Sequence, residues 1–282
     1  MKEAPLTSSV SGTPENRHMA ALDHRPDSNQ QASRQHACTL AIDVGGPALK
    51  ASVFGARGRM IVDRVSVDRP YPCPPEVMVK PVVDLVKSLP ASDRVSVGFP
   101  GYVRHDKVIT ASEVGDDIWH RFELAKSLKA NFGKPVRLLN DSDMQGFAAI
   151  KRKGLKLIIT LGTGVGTGSF RNSELMPHLE LAPHPVHGGR DYNESLCKKT
   201  LKKIGEKKWN GRVQRALKIP HNLLQPDKIY IGDGNSRNLP FRLDVRVQLI
   251  SNQDGSLGGF MIGKTSPGTP KKLITGKGGA MP

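Results

Sequence analysis

The sequence has few cysteines, few aromatic residues and no long apolar run. Its three cysteines, Cys38, Cys73 and Cys197, are odd in number and widely spaced, which argues against a disulfide framework and a structural zinc site. Aromatic residues make up 5% of the chain, so nucleic-acid binding by base stacking is not expected. No apolar stretch reaches the roughly 18 residues of a membrane span, so a transmembrane helix is not expected.

Basic residues are abundant instead. The 282 residues carry a formal net charge of +16, and 37% of them are hydrophobic, enough for one elaborate domain or two small domains joined by a cleft. A basic surface favours polyanions, among them nucleic acid, phosphorylated metabolites and polyphosphate, and does not decide the fold. With so few aromatic residues, a nucleic-acid partner is not expected. The N-terminal residues lack the pattern of a targeting signal, so a reducing, cytoplasmic location is predicted.

A glycine-rich turn between two strands lies in the second half of the chain. The stretch LIITLGTGVGTGSF begins at Leu157 and reads as a buried strand followed by a tight turn built on Gly162, Gly164 and Gly166. Glycine and threonine bring backbone N–H groups and hydroxyls close to an anion, so we interpret the turn as a phosphate-binding hairpin. Alone this pattern is weak, because glycine hairpins are common turns.

Two other stretches also place polar groups at strand ends. AIDVGGPALK carries Asp43 at the end of a short strand, followed by a turn at Gly45 and Gly46. VRLLNDSD places Asn140 and Asp141 just past another strand. Phosphoryl transfer needs donors for the phosphates, an acid group for the metal and a base for the acceptor. The three stretches together therefore predict a phosphoryl-transfer site.

The rest of the sequence alternates predicted strands and helices, which indicates two α/β layers. We expect a disordered leader at residues 1–36, an N-terminal α/β domain at 37–139, a C-terminal α/β domain at 140–263 and a basic disordered tail at 264–282. Helices are predicted at 75–89, 122–132, 143–153, 196–224 with a break at Pro220, and 255–262. Further strands are predicted at 60–67, 94–98, 227–231 and 245–250.

The stretches DVGGPALK, VRLLNDSDMQG and TLGTGVGTGSF resemble, in that order, the phosphate-binding and catalytic motifs of the ROK sugar kinases. KKWNGRVQRAL and YIGDGN make the polyphosphate glucokinase branch the nearest match. The resemblance covers nearly all of the chain between Cys38 and Gly263. It implies an α/β fold of the actin-like, hexokinase type (ribonuclease H-like), with two α/β domains flanking a cleft and assembly as a homodimer.

The resemblance also implies roles for individual residues. Asp141 would be the general base for the sugar hydroxyl, and Asp43 would hold Mg²⁺, directly or through water. The implied sugar contacts are Asn140 and Glu180, with Glu113 at the place of a further contact and His184 or His187 as a partial substitute for another. The implied donor contacts are Asp43, Lys50 and the glycine turns, namely Gly45, Gly46, Gly162, Thr163, Gly164, Gly232, Gly234 and Asn235. ATP or polyphosphate would be the donor and a hexose the acceptor, most simply glucose giving glucose 6-phosphate. The zinc-binding cysteine cluster of many relatives is missing, so no zinc is expected.

Four motif positions depart from the family pattern, namely Pro47, Glu113, Pro183 and Asp233. Pro47 removes a hydroxyl and a backbone donor, and Asp233 adds negative charge beside the donor site. Glu113 and Pro183 replace a sugar-binding Asn and His. A sugar-binding or regulatory protein that has lost turnover is therefore the alternative to an active kinase. A transcriptional repressor is a third hypothesis, but residues 1–36 are too short and polar for the expected DNA-binding domain.

Two features have a simple structural explanation beside the functional one. Asp141 lies in an Asn-Asp-Ser run that also suits a helix cap. The lysine-rich segment after Cys197, with Lys199, Lys203 and Arg212, is either a solvated helix face or a track for polyphosphate, which would gain from counterion release as nucleic acids do.

Overall fold

The computed structural model describes residues 37–111, 114–150, 153–240, 246–250 and 258–259. The predicted leader and tail lie outside these ranges, and so does Glu113. Of the helix predicted at 255–262, only residues 258 and 259 are described. None of the described helices combines the length and apolar character needed to cross a membrane.

The N-terminal part of the described chain forms a five-stranded sheet. Its strands are β1 (Thr39–Val44), β2 (Ala48–Phe54), β3 (Val65–Asp68), β4 (Arg94–Phe99) and β7 (Val136–Asn140), in the order β3-β2-β1-β4-β7. β2 runs antiparallel to β1 and β3, whereas β1, β4 and β7 are parallel. A separate hairpin consists of β5 (Val103–Arg104) and β6 (Lys107–Val108).

Three helices follow the strands of this sheet: α1 (Pro75–Val86), α2 (Asp116–Trp119) and α3 (Leu124–Phe132). α1 begins with Pro75, whose fixed φ suits the first helical position and whose predecessor Pro74 is extended. Leu124 and Leu128 of α3 lie four residues apart, on one helix face, and both are fully buried in the core of this sheet. α3 ends at Gly133 in the left-handed conformation, as the sequence predicts.

The C-terminal part forms a second five-stranded sheet. Its strands are β8 (Leu155–Leu161), β9 (Val165–Arg171), β10 (Glu174–Leu175), β13 (Lys228–Gly232) and β14 (Val247–Leu249), in the order β10-β9-β8-β13-β14. The remaining elements are β11 (Pro185–His187), β12 (Arg190–Asp191), α5 (Tyr192–Leu196), α6 (Lys198–Ile204), α7 (Glu206–Leu224) and a 3-10 helix at Gly234–Asn238. Trp209 and Val213 of α7 pack with Leu157 and Ile159 of β8 in a second core.

The two sheets have the same topology. In each, three strands form an antiparallel meander and two more add in parallel beside the first strand. Helix α4 (Asp141–Ala149) contacts β4 of the first sheet and β9 of the second. The hydroxyl groups of Ser142 and Thr160 are hydrogen-bonded at 2.8 Å, which ties the start of α4 to β8. Residues near the domain junction are therefore positioned by both sheets.

Three predicted elements differ in the structure. Only the C-terminal part of the strand predicted at 60–67 is observed, within β3. The chain turns between Gly55 and Arg59, and Met60 makes a single bridge to Phe54. Helix α4 starts at Asp141, two residues earlier than predicted, and ends at Ala149. The helical segment after Leu196 breaks at Gly205, with φ 76°, and α7 continues through buried Pro220, because one missing N–H donor is offset by packing. The predicted domain boundary at 139/140 stays a prediction.

Candidate functional site

A cleft lies between the two sheets, at the ends of their central strands. Its volume, open mouth included, is about 1000 Å³. Most of the predicted site residues that the structure describes line it, including the departing positions Pro47 and Asp233: Asp43, Gly45, Gly46, Pro47, Lys50, Asn140, Asp141, Gly162, Thr163, Gly164, Glu180, Asp233, Gly234 and Asn235. Residues as far apart in the chain as Asp43 and Asn235 thus meet in one place, as the three motifs predict.

Some predicted site residues do not line the cleft. His184 is exposed, its N–H donates to the Leu181 carbonyl, and its ring lies 6.2 Å from that of Tyr192. It therefore does not replace the sugar-binding histidine of the family pattern in this structure. Pro183, which occupies the position of that histidine, is also exposed. Other predicted residues also lie outside the cleft lining, namely Gly232, Lys199, Lys203 and Arg212. Glu113 lies outside the described residues.

Asn140, and not Asp141, caps helix α4. The Asn140 Oδ1 accepts hydrogen bonds from the N–H groups of Ser142 at 2.8 Å and Asp143 at 3.2 Å, which is the usual N-cap arrangement. Its Nδ2 donates to the Gly101 carbonyl at 3.1 Å. Asp141 follows in the first turn of the helix, where the macrodipole favours negative charge, and it lines the cleft. The cap explanation of the Asn-Asp-Ser run therefore applies to Asn140.

The hairpin between β8 and β9 is held in place by neutral groups. Its Gly162 carbonyl accepts from the Asn235 Nδ2 at 2.9 Å and from the Lys198 backbone N–H at 3.0 Å. The Val165 N–H donates to the Asn193 Oδ1 at 2.7 Å. These bonds fix the turn from two sides. Asn235 was predicted to contact the phosphoryl donor, and in the structure its amide supports the hairpin.

The hairpin between β1 and β2 is held by a cation. The Arg69 Nε donates to the Gly45 carbonyl at 3.1 Å and to the Gly46 carbonyl at 2.7 Å, and its Nη2 also donates to Gly46. The Arg69 backbone N–H donates to the Pro47 carbonyl at 3.0 Å. Arg69 lies on the loop after β3, far from the hairpin in sequence, which is why sequence reasoning missed it.

Asp43, at the end of β1, lies beside Lys50 with an Oδ2–Nζ distance of 3.4 Å. Burial raises the pKa of Asp43 and Lys50 opposes that rise, while the nearby carboxylate of Asp233 adds to it. Asp43 and Asp233 come from different sheets and interact electrostatically in the cleft. The site therefore holds two carboxylates and one lysine where the donor is expected.

Asp233, which follows β13, adopts an unusual backbone conformation. Its φ is 70° and its ψ is 174°, a region that glycine enters readily and other residues only with strain. The Asp233 Oδ1 accepts a hydrogen bond from the Gly234 N–H at 2.7 Å. Its Oδ2 lies where a side chain on Gly162 would have to go, so this carboxylate packs directly against the second glycine hairpin.

A group of three titratable side chains, two of them buried, extends from the interior to the cleft, and sequence reasoning missed its His178 and Asp143. The His178 Nδ1 lies 3.0 Å from the Asp143 Oδ2, and its Nε2 lies 3.5 Å from the Glu180 Oε2. Burial opposes protonation, but both carboxylates raise the pKa of His178 to about 9. The spacing of His178 and Glu180 was an available signal, because residues two apart in an extended segment share a side.

The cleft is also lined by residues that had no predicted role: Pro100, Gly101, Gln145, Thr160, Val165, Ala182 and Asn193. Pro100 and Gly101 follow β4, which ends at Phe99, one residue beyond the prediction. Gly166 of the predicted glycine turn and Lys198 of the predicted basic segment also line the cleft, so a second lysine is present there in addition to Lys50. The described residues include no group of three or more His, Cys, Asp or Glu side chains arranged to hold a metal by themselves.

Comparison with known proteins agrees with the fold and the motifs. A model of the ROK family matches residues 39–198. The polyphosphate glucokinase of Mycobacterium tuberculosis (strain CDC 1551 / Oshkosh) is 30% identical over 224 residues, which cover 76% of this chain and 82% of that protein.

Solved structures give the same result. The inorganic polyphosphate/ATP-glucomannokinase from Arthrobacter sp. strain KM superposes with a TM-score of 0.73 at 27% identity, over 81% of this chain and 98% of that one. A ROK family transcriptional regulator, a homologue of the E. coli MLC protein, superposes with a TM-score of 0.59 at 12% identity, over 80% of this chain and 77% of its own, and shows the fold alone. The predicted actin-like, hexokinase-type fold is confirmed.

Proposed function

The chain belongs to the ROK family, and on this premise we propose that it transfers a phosphoryl group from ATP or polyphosphate to a hydroxyl group of a hexose, with glucose as the first candidate acceptor. The observation that carries the proposal is the placement of Asp141. It lines one cleft together with Glu180 and both glycine hairpins, while Asn140 fills the cap position.

In the proposed reaction, Asp141 accepts the proton of the attacking sugar hydroxyl. A hydroxyl is a poor nucleophile until its proton has an acceptor, and a positioned carboxylate accelerates such a step by about 10² to 10⁴. Glu180 would accept hydrogen bonds from other hydroxyls of the sugar. Its Oε1 is held by the Ala182 N–H at 3.2 Å, so the carboxylate has a defined orientation before any sugar arrives.

The donor phosphates would lie between the two hairpins, near Lys50 and Lys198. Magnesium suits this region, because Mg²⁺ in phosphoryl-transfer sites is bound by one or two carboxylates together with phosphate oxygens and water. Asp43 and Asp233 supply two such carboxylates, and Asp233 lies close enough to influence the protonation of Asp43. Bound Mg²⁺ would neutralise the charge of the donor phosphates. A homodimer and a cytoplasmic location stay predictions.

The second candidate is a sugar-binding protein of this family with little or no turnover. Asp233 favours it, because a carboxylate against the Gly162 hairpin repels a polyanionic donor. Pro47 favours it as well, because its ring removes a backbone N–H donor from the first hairpin.

Asp141→Asn separates the candidates. The change removes the base and keeps a hydrogen-bonding side chain of similar shape, so kcat should fall by about 10² to 10⁴, while the dissociation constant of glucose stays within about tenfold. The measurements are a coupled kinase assay with several hexoses and both donors, and calorimetric titration with glucose.

The matched control is Asp84→Asn, the same chemical change on exposed α1, where Asp84 pairs with Lys80 and Lys87. It should leave kcat unchanged. An unaltered kcat in Asp141→Asn would refute the role of Asp141. Glucose binding by the wild-type protein with no turnover on any hexose would establish the second candidate.

A further inference from the structure

His178 lies between two carboxylates in the least accessible part of the site. The side chains of His178 and Asp143 are 5% and 4% exposed, whereas that of Glu180 is 28% exposed and reaches the cleft. The Tyr102 ring stacks on the imidazole with 5.2 Å between centroids. The groups that pack around His178 come from three places. Asp143 lies on α4, Tyr102 lies on the loop after β4, and Glu180 lies on the same segment as His178.

The charges in this group depend on one another. A protonated His178 between Asp143 and Glu180 leaves one net negative charge, and the raised pKa of His178 keeps its ring cationic at neutral pH. Without that cation, two carboxylates would face each other across a largely buried site, and their repulsion would shift Glu180 from its present orientation.

We propose that His178 is a positioning residue for the acceptor sugar: it holds the Glu180 carboxylate in a fixed orientation at the cleft, while Asp143 anchors the ring from behind. This inference rests on the proposed function, because Glu180 is the sugar contact. It assigns to the Asp143–His178–Glu180 group a role in sugar affinity and in its pH dependence, and not in proton transfer to or from the reacting hydroxyl.

The geometry also accounts for the orientation of Glu180. Its Oε1 accepts from the Ala182 N–H, and its Oε2 faces the His178 Nε2 at 3.5 Å, which is an ion-pair distance longer than a normal hydrogen bond. The two contacts restrain the carboxylate from two sides and leave its other lone pairs for the cleft. Removing the contact with His178 leaves only the backbone to orient it.

Two substitutions separate the contacts of His178. His178→Asn keeps a donor near the Nδ1 position, toward Asp143, and His178→Gln keeps one near the Nε2 position, toward Glu180. Calorimetric titration with glucose, without donor, should show affinity at neutral pH about 10- to 100-fold weaker for His178→Asn, the range expected when a charged group loses the contact that orients it. His178→Gln should lose less.

The pH profile distinguishes positioning from a structural defect. Glucose affinity of the wild-type protein should fall as pH rises past the pKa of His178, which is about 9, because the ring then loses the charge that holds Glu180. His178→Asn should lack this fall, and a wild-type affinity that stays constant across the range would indicate a role in packing alone. The control is His221→Asn, the same replacement near the C-terminal end of α7 and outside the cleft lining, which should leave both affinity and pH profile unchanged.

The wild-type protein provides a test that needs no variant to fold. If protonation of His178 supports glucose binding, linkage requires glucose to raise the pKa of His178 by the same coupling, and NMR titration of the ring with and without glucose measures this shift. An unchanged pKa, a wild-type glucose affinity that does not fall as His178 loses its proton, or equal losses in both variants would overturn the proposal while leaving the kinase proposal intact. A wild-type protein that binds no hexose would refute both.

Discussion

The two sheets have the same topology, yet their glycine hairpins have opposite electrostatic surroundings. The β1–β2 hairpin is clamped by the guanidinium of Arg69 on the carbonyls of Gly45 and Gly46. The β8–β9 hairpin is held by the amides of Asn235 and Asn193 and by a backbone N–H, and the carboxylate of Asp233 packs against its Gly162.

This difference shows that the hairpins depart from the family pattern in different ways. The first hairpin has lost a hydroxyl and a backbone donor at Pro47 but keeps a cation behind it. The second hairpin keeps its glycines and threonine but has gained a negative charge. A charge in a cleft acts on every phosphate of the donor over several ångströms, whereas one missing donor affects a single contact. We therefore expect Asp233 to limit donor use more than Pro47 does.

Among the changes that compare the two hairpins, the largest effect is expected from Asp233→Gly. Removing the carboxylate should raise kcat/KM for ATP by about 10- to 100-fold, the size of one charge interaction at short range. The acid limb of the kcat/KM profile should move to lower pH, because Asp233 contributes to the raised pKa of Asp43. Glycine also relieves a strained backbone, so thermal unfolding should show a gain of about 1 kcal/mol. Steady-state kinetics and calorimetry measure these effects.

Asp233→Asn is the matched comparison, because it removes the charge and keeps the side chain in the strained conformation. It should reproduce the kinetic gain without the gain in stability. If neither variant improves the use of ATP, the negative charge beside Gly162 does not limit the donor, and the contrast between the hairpins has no functional meaning.

A smaller effect is expected at the first hairpin. Pro47→Thr restores a backbone N–H and a hydroxyl, and kcat should rise by a few-fold, about the value of one modest hydrogen bond, because Arg69 already holds the loop. Pro47→Ala restores only the N–H. Comparing the two variants therefore shows how much of the gain in kcat comes from the N–H and how much from the hydroxyl. A lower kcat in both variants would mean that the loop has adapted to the proline ring, and it would reverse the ranking of the two departures.

The smallest effect on turnover is expected from the basic helices beyond the second hairpin. Lys199 and Lys203 are exposed on α6, Arg212 is half-buried on α7, and Lys198 brings the start of this basic row to the cleft. Changing Lys199, Lys203 and Arg212 to Ala should raise KM for polyphosphate and leave ATP use unchanged. The salt dependence of KM for polyphosphate should also become weaker, because polyphosphate is longer than the triphosphate of ATP and releases more counterions when it binds. KM for each donor at low and moderate salt measures this.

The control for the basic row is a set of three exposed lysines next to the first sheet, Lys80, Lys87 and Lys126, also changed to Ala. It should have no effect on either donor. Equal salt slopes for ATP and polyphosphate in the wild-type protein, or equal losses of both donors in the triple variant, would identify α6 and α7 as a solvated face.

Much of the fold could be predicted from local patterns. The β1–β2 and β8–β9 hairpins, the strand ends at Asp43 and Asn140, and the end of α3 at Gly133 all follow from glycine spacing and apolar periodicity over a few residues. The break at Pro220 was predicted wrongly, because the cost of one missing N–H is local and the packing that offsets it is not. The start of α4 was misplaced because Asn140 and Asp141 are both suitable caps.

The sequence by itself determined that the three motifs meet in one cleft, because glycine turns and strand ends are short-range features and the parallel order of the central strands brings them to one edge. Only the tertiary structure decided their surroundings. The Arg69 clamp, the position of Asp233 against Gly162 and the contact of His178 with Asp143 join different segments of the chain. Their electrostatic effects depend on burial and on distances of a few ångströms, and neither quantity can be read from residue order.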